Sequence, residues 1–487
     1  MQIKSFSKNT LFYAIGIIAI RFTTFLLIPL YTEFLSKEEY GLLATLLFTT
    51  EIIITINDVG IRSAIMRFFA EYNKINKLAE LIGSSVFVNI IVGVIIILIS
   101  LLISESYLSN LFQVNITENV ILLTILVGVS RTLSLNILSY FRAKNLGSAY
   151  MLTSIVSSSI LVFTTWISLQ MFNMGINGVL YAQIFSFGIA WIFVLIWIFK
   201  KDGLKIDTNT SKMLFKFGYP LILATSGTML VTTTGNYFLG AFRNLEEVAV
   251  LAIAYKVGTV GIMVLIAPFQ LAYEPYVFNN KDNPDLNKII SKIITYIVLL
   301  YLLVSIAILF AFKYLFEIIG NGDYTDAYYY VFLLIPALGF TAINYIGQSL
   351  IHLKNKTKTT GLISFAVTIL SIVISYFATN LYGIYGTILG INFYLITSGI
   401  LLFYFGNNEF PIKIELQRLL IITVSGIILF VGLYILSSFS NLIFYSFSSI
   451  LIITYLTSLY LSNFFNKNEK EIVRSLFSNW RTYLKLG

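Results

Sequence analysis

Long apolar runs separated by short polar turns recur along the whole chain. Each is about 20 residues long, the length a helix needs to cross roughly 30 Å of hydrocarbon. The runs are continuously apolar, where barrel strands would alternate, so the pattern predicts membrane-spanning helices. Fourteen spans are expected, at roughly 9–31, 40–61, 79–103, 119–141, 148–170, 177–199, 214–240, 247–273, 289–312, 327–352, 358–379, 384–405, 416–437 and 441–463. The expected class is therefore an all-α integral membrane protein. Pro29, Pro220, Pro268, Pro275 and Pro336 fall within or near span ends, where they would permit bending.

The connections alternate in basic content. Those after even spans carry Arg62, Arg67, Lys74 and Lys77, then Arg142 and Lys144, then Lys200, Lys201, Lys205 and Lys212, and so on to Lys413. Those after odd spans are nearly bare, so most of the 32 lysines and arginines lie on one face. By the positive-inside bias that face is cytoplasmic, and an even number of spans puts both termini there. The same bias accounts for the net charge of +9 without any nucleic-acid partner. No connection is long enough to hold a soluble domain. After Asn463 a short tail, 464–487, places Ile472, Leu476, Trp480 and Leu484 on one face, as an amphipathic helix along the inner leaflet would. The Asn115, Ile116, Thr117 triplet matches a glycosylation acceptor, a pattern frequent by chance.

Composition agrees: 57% of residues are hydrophobic, 11% are charged and mean hydropathy is +0.86, too little polar surface to coat a soluble globule of 487 residues. There is no cysteine, which removes disulfides and thiolate metal sites, and the single histidine, His352, cannot build a conventional metal centre. His352 sits beside Lys354 near a span end and reads as interfacial. No metal or organic cofactor is expected.

Part of the chain repeats. Lys37, Glu38, Glu39, Tyr40, Gly41, Leu42, Leu43, Ala44 follows span one, and Leu245, Glu246, Glu247, Val248, Ala249, Val250, Leu251, Ala252 follows span seven, about 208 residues later. Both follow an odd span. Two halves of equal handedness about an axis along the membrane normal are expected, with a binding site between them. The division runs 1–200 for the first lobe, 201–213 for a basic cytoplasmic linker, 214–405 for the second lobe and 406–463 for spans thirteen and fourteen.

Four spans carry a charge near mid-depth: Arg21, Glu51, Arg131 and Lys256. Such charges are expensive in hydrocarbon, about 2.5 to 3.5 kcal/mol each on insertion scales, and are kept mainly where they face a partner or a wet cavity. Arg21 and Glu51 lie at matched depth on consecutive antiparallel spans, which allows an interhelical ion pair. Arg131 and Lys256 have no acid within one turn; they would face a hydrated cavity, or pair with Glu51 or backbone carbonyls. With one cation neutralised, about two positive charges remain, and a diphosphate would match them through charge-assisted hydrogen bonds. Asp58 has Arg62 four residues on, so an ordinary helix-end pair competes with a role in ion coupling beside Glu51. Two spans also carry polar faces, Thr225, Thr228, Thr232 and Asn236 in the seventh and Thr341, Asn344, Gln348 and His352 in the tenth. These would line a cavity and bond sugar hydroxyls, or hold helices together. No nucleophile and base pair, no glycine-rich phosphate loop and no acids on a large external loop are present, which argues against an enzyme.

The chain resembles the Wzx-type polysaccharide repeat-unit (O-antigen) flippases of the multidrug, oligosaccharidyl-lipid and polysaccharide exporter superfamily. The likeness rests on PLYTEFLSKEEYGLLA from Pro29 to Ala44, NDVGIRSAIMRFFAEY from Asn57 to Tyr72, KFGYPLI from Lys216 to Ile222 and EEVAVLAIAYKVG from Glu246 to Gly258. Gly235, Asn236 and Tyr237 depart from the pattern, since relatives commonly carry an acidic and a basic residue there. The resemblance implies two lobes of six helices plus two C-terminal spans, a V-shaped central cavity and alternating access. It implies a bacterial cytoplasmic membrane and a short oligosaccharide on undecaprenyl diphosphate as substrate, with membrane lipids and polysaccharide assembly proteins as partners. Coupling to H+ or Na+ is also implied.

The expected function is thus a lipid-linked oligosaccharide flippase, with Arg21, Arg131 and Lys256 on the headgroup and Glu51 as charge partner or coupling acid. A drug and cation antiporter of the same superfamily is one alternative, although its cavity should be acidic or apolar. A membrane polymerase or glycosyltransferase is the other, and it lacks the large external loop such chemistry needs.

Overall fold

A computed structural model of the chain describes residues 2–102, 105–114, 116–354, 356–462, 464, 465 and 469. The expected tail helix, apart from its first residues, and Asn115 lie outside the described residues, as do the side chains of Pro220, Thr225 and Pro275.

Among the described residues every regular element is helical. In chain order they are α1 Gln2–Phe34, α2 Lys37–Asp58, α3 Ile61–Lys74, α4 Leu78–Ser100, α5 Glu105–Phe112, α6 Glu118–Ala143, α7 Gly147–Gln170, α8 Gly175–Asp202, α9 Thr208–Thr225, α10 Gly227–Phe242, α11 Leu245–Gly258, α12 Ala267–Asn279, α13 Leu286–Ile318, α14 Thr325–Leu353, α15 Thr357–Tyr382, α16 Ile384–Glu409, α17 Leu416–Ser437 and α18 Asn441–Leu461. Among the described residues thirteen helical stretches are long and apolar enough to cross a membrane. The expected seventh span is the exception. It is divided at Ser226 into α9 and α10, and α10 has only 16 residues. The cause is local, because Ser226 and Gly227 are poor helix formers and Gly227 admits the Tyr394 hydroxyl where a Cβ would collide with it. The eighth span is also irregular: a π-helical turn, Ile262–Ile266, joins α11 to α12, and Pro268 follows it.

One packing pattern occurs twice. In the first half α1 packs on α7, α2 on α6, and α6 and α7 on α8; in the second, α10 packs on α15, α11 on α14, and α14 and α15 on α16. The repeated sequence segment opens α2 and α11 in equivalent ways. Ser36 Oγ accepts from the Glu39 backbone N–H at 3.1 Å, and Asn244 Oδ1 accepts from that of Glu247 at 2.8 Å, each an N-cap satisfying a donor the helix cannot. The carboxylates at the third helical residue differ in partner: Glu39 returns to its own cap at 2.8 Å, completing a capping box, whereas Glu247 accepts from Ile384 N–H at 3.2 Å.

The halves meet where α2 crosses α10 and α11. Between helices in lipid there is no hydrophobic gain from association, so close approach of small residues supplies the attraction. Ala249, Ala252 and Ala254 are buried on α11, and Gly41 of α2 lies so near the Leu245 carbonyl that a Cβ would overlap it. Polar contacts bind the same seam to α10: Thr49 with the Tyr237 hydroxyl at 2.6 Å, and Thr55 with the Met229 sulfur at 3.2 Å. At the far end of α2 the chain turns sharply into α3. Val59 and Gly60 both have positive φ, 46° and 69°, a strained setting for a β-branched residue. The turn is held against Gly218 of α9, where neither glycine has room for a side chain.

The last two helices, α17 and α18, pack on each other and on α13, and they present Ile427, Ile428, Leu442 and Ile453 outward. Between α13, α14 and α17 lies an apolar cavity of about 650 Å³.

Candidate functional site

The mid-span charges gather at the junction of the halves. A cavity of about 270 Å³ is bounded by α1, α2, α6, α7, α8 and α11, and Glu51, Arg131 and Lys256 all line it. Arg131 Nη1 lies 2.9 Å from Glu51 Oε1, and the two side chains keep 26% and 43% of their surface exposed. The pair is therefore formed and still accessible to a ligand. The guanidinium also stands 5.6 Å from the centre of the Phe187 ring.

Lys256 reaches the cavity from the other half. Its Nζ donates to the Tyr40 hydroxyl at 3.1 Å and lies 5.8 and 5.4 Å from the Tyr31 and Tyr40 ring centres. Both tyrosines are almost fully buried. An aromatic cage with one hydroxyl solvates an ammonium only in part, and among the described residues Lys256 has no carboxylate partner.

Arg21 does not join this lining. Ile20, Thr23 and Thr24 of α1 do, while the exposed Arg21 side chain lies within electrostatic range of Tyr150 on α7 and Tyr345 on α14. The expected cluster of four is three charges in one cavity and a fourth beside it. Of the partners the sequence allows Glu51, the structure supplies Arg131 and not Arg21, because α1 packs on α7 whereas α2 packs on α6. Asp58 is buried at the α2–α3 turn, 3.2 Å from Arg62 Nε, and accepts from the Arg62 backbone N–H at 3.3 Å. Two helical turns, about 10 Å, separate it from Glu51, so its charge partner is Arg62.

The uncharged residues divide as well. Thr228, Asn344 and Gln348 line a second cavity in the second half. Thr232 and Asn236 are buried in helix contacts: Thr232 Oγ1 donates to the Thr228 carbonyl at 3.0 Å, and Asn236 Nδ2 to the Thr232 carbonyl at 2.8 Å. His352 is near the Thr360 hydroxyl at 3.3 Å. The sequence reading missed the tyrosines that hold Lys256 and also Gln183, Tyr255, Gln270 and Tyr394 of the two cavity walls. Tyrosines are scattered through the spans and nothing local sets these apart; only the second of the two repeats, which puts Lys256 on the helix facing Tyr40, could have signalled them.

Long apolar helices in two similarly packed sets, with a charged, partly open chamber where they meet, are the architecture of a multi-pass membrane protein. The sequence matches the family described as "Polysaccharide biosynthesis protein" over residues 6–281, and the chain belongs to that family. Among solved structures it is similar to the lipid II flippase MurJ in an inward closed conformation, with a TM-score of 0.72 and 14% identity, covering 94% of this chain and 99% of that one. It is also similar to an inward-facing multidrug resistance MATE transporter of the MOP superfamily, with a TM-score of 0.59 and 17% identity over 82% and 94% of the two chains. The Vibrio cholerae MATE transporter VcmN in its bent form gives 0.56 and 16% over 83% and 96%. No curated protein matches the chain. The chain thus joins a polysaccharide biosynthesis family to the fold of the MurJ and MATE proteins, with thirteen helical stretches among the described residues long and apolar enough to cross a membrane.

Proposed function

We propose that this transporter flips undecaprenyl-diphosphate-linked oligosaccharides from the inner to the outer leaflet by alternating access. The observation that carries this reading is the charge of the central cavity: two cations, Arg131 and Lys256, against one carboxylate, Glu51. A guanidinium half committed to Glu51 and an ammonium with only a hydroxyl and π faces both gain from a diphosphate, whose oxygens accept charge-assisted hydrogen bonds. Arg21, beside the cavity, would meet the headgroup on its way in. The sugars follow through the water-filled space between the halves, and the prenyl tail remains in the bilayer. Both termini face the cytoplasm in this reading, and polysaccharide assembly proteins receive the product on the outer side.

Glu51 is the candidate for coupling to H+ or Na+. When a diphosphate takes Arg131, the carboxylate loses its partner and becomes free to bind a proton or a sodium ion, so that substrate and cation occupancy would be linked through one residue. The MATE likeness keeps a drug antiporter as the second reading. Net positive charge in the cavity disfavours it, since an organic cation would be repelled where an anion is attracted.

The test is complementation of a strain lacking the gene. Wild type restores surface polysaccharide and accumulates no lipid-linked intermediate; Arg131→Ala and Lys256→Ala, each inserted at normal level, do not restore it. Normal polymer from the Arg21→Ala, Arg131→Ala, Lys256→Ala triple variant would overturn the reading, and ethidium efflux without any effect on polymer would favour the antiporter.

A further inference from the structure

The second cavity lies wholly within the second half, bounded by α10, α12, α14, α15 and α16, and has a volume of about 260 Å³. None of its lining residues carries a charge, yet it is rich in hydroxyls and carboxamides, among them Thr228, Gln270, Thr341, Asn344 and Gln348. A chain of hydrogen bonds fixes two of these groups. Gln348 Nε2 donates to Asn344 Oδ1 at 2.5 Å, and Asn344 Nδ2 donates to Ser398 Oγ at 3.1 Å. The Thr341 hydroxyl is buried with no partner among the described residues. A buried hydroxyl left unsatisfied is costly, and such groups persist where a guest or water completes them.

A phosphate would find no cation here, whereas a neutral ligand covered in hydroxyls would find donors and acceptors on several sides. Tyr345 and Tyr394 add aromatic faces against which the C–H face of a sugar ring can lie. The helix α11 that carries Lys256 into the first cavity packs on α14 and α16, which line the second. At about 260 Å³ the second cavity has room for a sugar ring.

We propose that this uncharged cavity is the sugar subsite of the transporter: it receives the ring next to the diphosphate, and Gln348, Asn344 and Thr341 determine which sugar is accepted. The inference rests on the flippase reading. The central cavity holds the part common to all polyprenyl diphosphates, and the second cavity reads the part that differs between them.

The experiment uses the full-length protein in lipid nanodiscs and two probes, undecaprenyl diphosphate without sugar and the lipid-linked oligosaccharide fraction extracted from the native host. Wild type should bind the glycosylated probe about tenfold more tightly than the bare one, as a few neutral hydrogen bonds would supply. Gln348→Leu and Asn344→Leu should lose that preference while holding the bare diphosphate as wild type does. Thr341→Val, which keeps the side chain's size and removes only the unpartnered hydroxyl, should lose part of the preference with no loss of thermal stability. Equal affinity of wild type for the two probes, or variants that weaken both in parallel, would overturn the sugar subsite alone. Binding of neither probe to wild type would instead bring down the flippase reading and this inference with it.

Discussion

Arg131 of α6 and Glu51 of α2 form an ion pair at 2.9 Å across the wall of the central cavity, although they stand 80 positions apart in the chain. Both side chains remain partly exposed, so the pair is neither a buried structural clasp nor a free surface contact. Its coupling energy should fall between those limits, about 1 to 2 kcal/mol. Arg131→Ala and Glu51→Gln, singly and combined, would show this in thermal unfolding of the detergent-solubilised protein. The double variant is expected to be closer to wild type than the sum of the singles, and strict additivity would show that the pair does not form in solution.

Coupling through Glu51 gives a separate expectation. If the carboxylate carries the coupled cation, Glu51→Gln keeps binding the headgroup through Arg131 and Lys256 but exchanges it down its own gradient. In proteoliposomes wild-type flipping should rise several-fold with an imposed H+ or Na+ gradient, and flipping by Glu51→Gln should not respond. An unchanged gradient response in the variant would remove Glu51 from the coupling step.

Orientation can be read chemically because the protein contains no cysteine of its own. Single cysteines at Gln113, in the connection between α5 and α6, and at Ile206, between α8 and α9, lie at exposed positions outside the helices. With the basic connections inside, a membrane-impermeant maleimide should label Gln113→Cys in intact cells and Ile206→Cys only after lysis. The reverse pattern would invert the topology and with it the direction of transport.

The spans, their basic connections and the repeat were legible because each is a property of local composition. Span lengths follow from apolar runs, and the caps at Ser36 and Asn244 sit where the repeated motif places them. Which of the cations the sequence offers to Glu51 is its partner was not legible in this way. Chain order offers Arg21, since α1 and α2 are consecutive, but consecutive helices need not be packed neighbours, and α1 lies against α7. The division at Ser226 was hidden for a related reason: it depends on the Tyr394 hydroxyl, which arrives from α16 and meets Thr228 and Thr368. Charges at mid-depth identified three of the cavity residues, while the cage around Lys256 required the crossing of α2 with α11.

That crossing is sensitive to volume at one position. A methyl group at Gly41 would overlap the Leu245 carbonyl, and backbone atoms cannot yield as a flexible side chain would. Gly41→Val should therefore force the outer ends of α2 and α11 apart while each half keeps its own packing. Cysteines placed nearby, for example Ala44→Cys, would become several-fold more reactive to an external maleimide in the Gly41→Val background, with flipping lost and expression retained. An unchanged labelling rate would mean that the seam already opens there.

Lys256 should show stability and transport moving in opposite directions. Its ammonium is enclosed by Tyr31 and Tyr40, with one hydroxyl at 3.1 Å and no carboxylate among the described residues. A charge held this way loses most of its hydration for limited compensation, and groups retained at such a cost are usually kept for what they bind. Lys256→Met has nearly the same length and flexibility, fills the space between the rings with a thioether that packs well on aromatics, and removes the charge. It should unfold at a temperature several degrees above wild type and lose transport of the diphosphate headgroup. Lys256→Arg keeps the charge but places a larger, planar group between the same rings, so it should unfold at a lower temperature and retain part of the transport. Thermal unfolding and flipping measured on the same preparations decide the matter: a Lys256→Met protein that is both less stable and inactive would assign the lysine a structural role, and one that is active would take it out of the headgroup site.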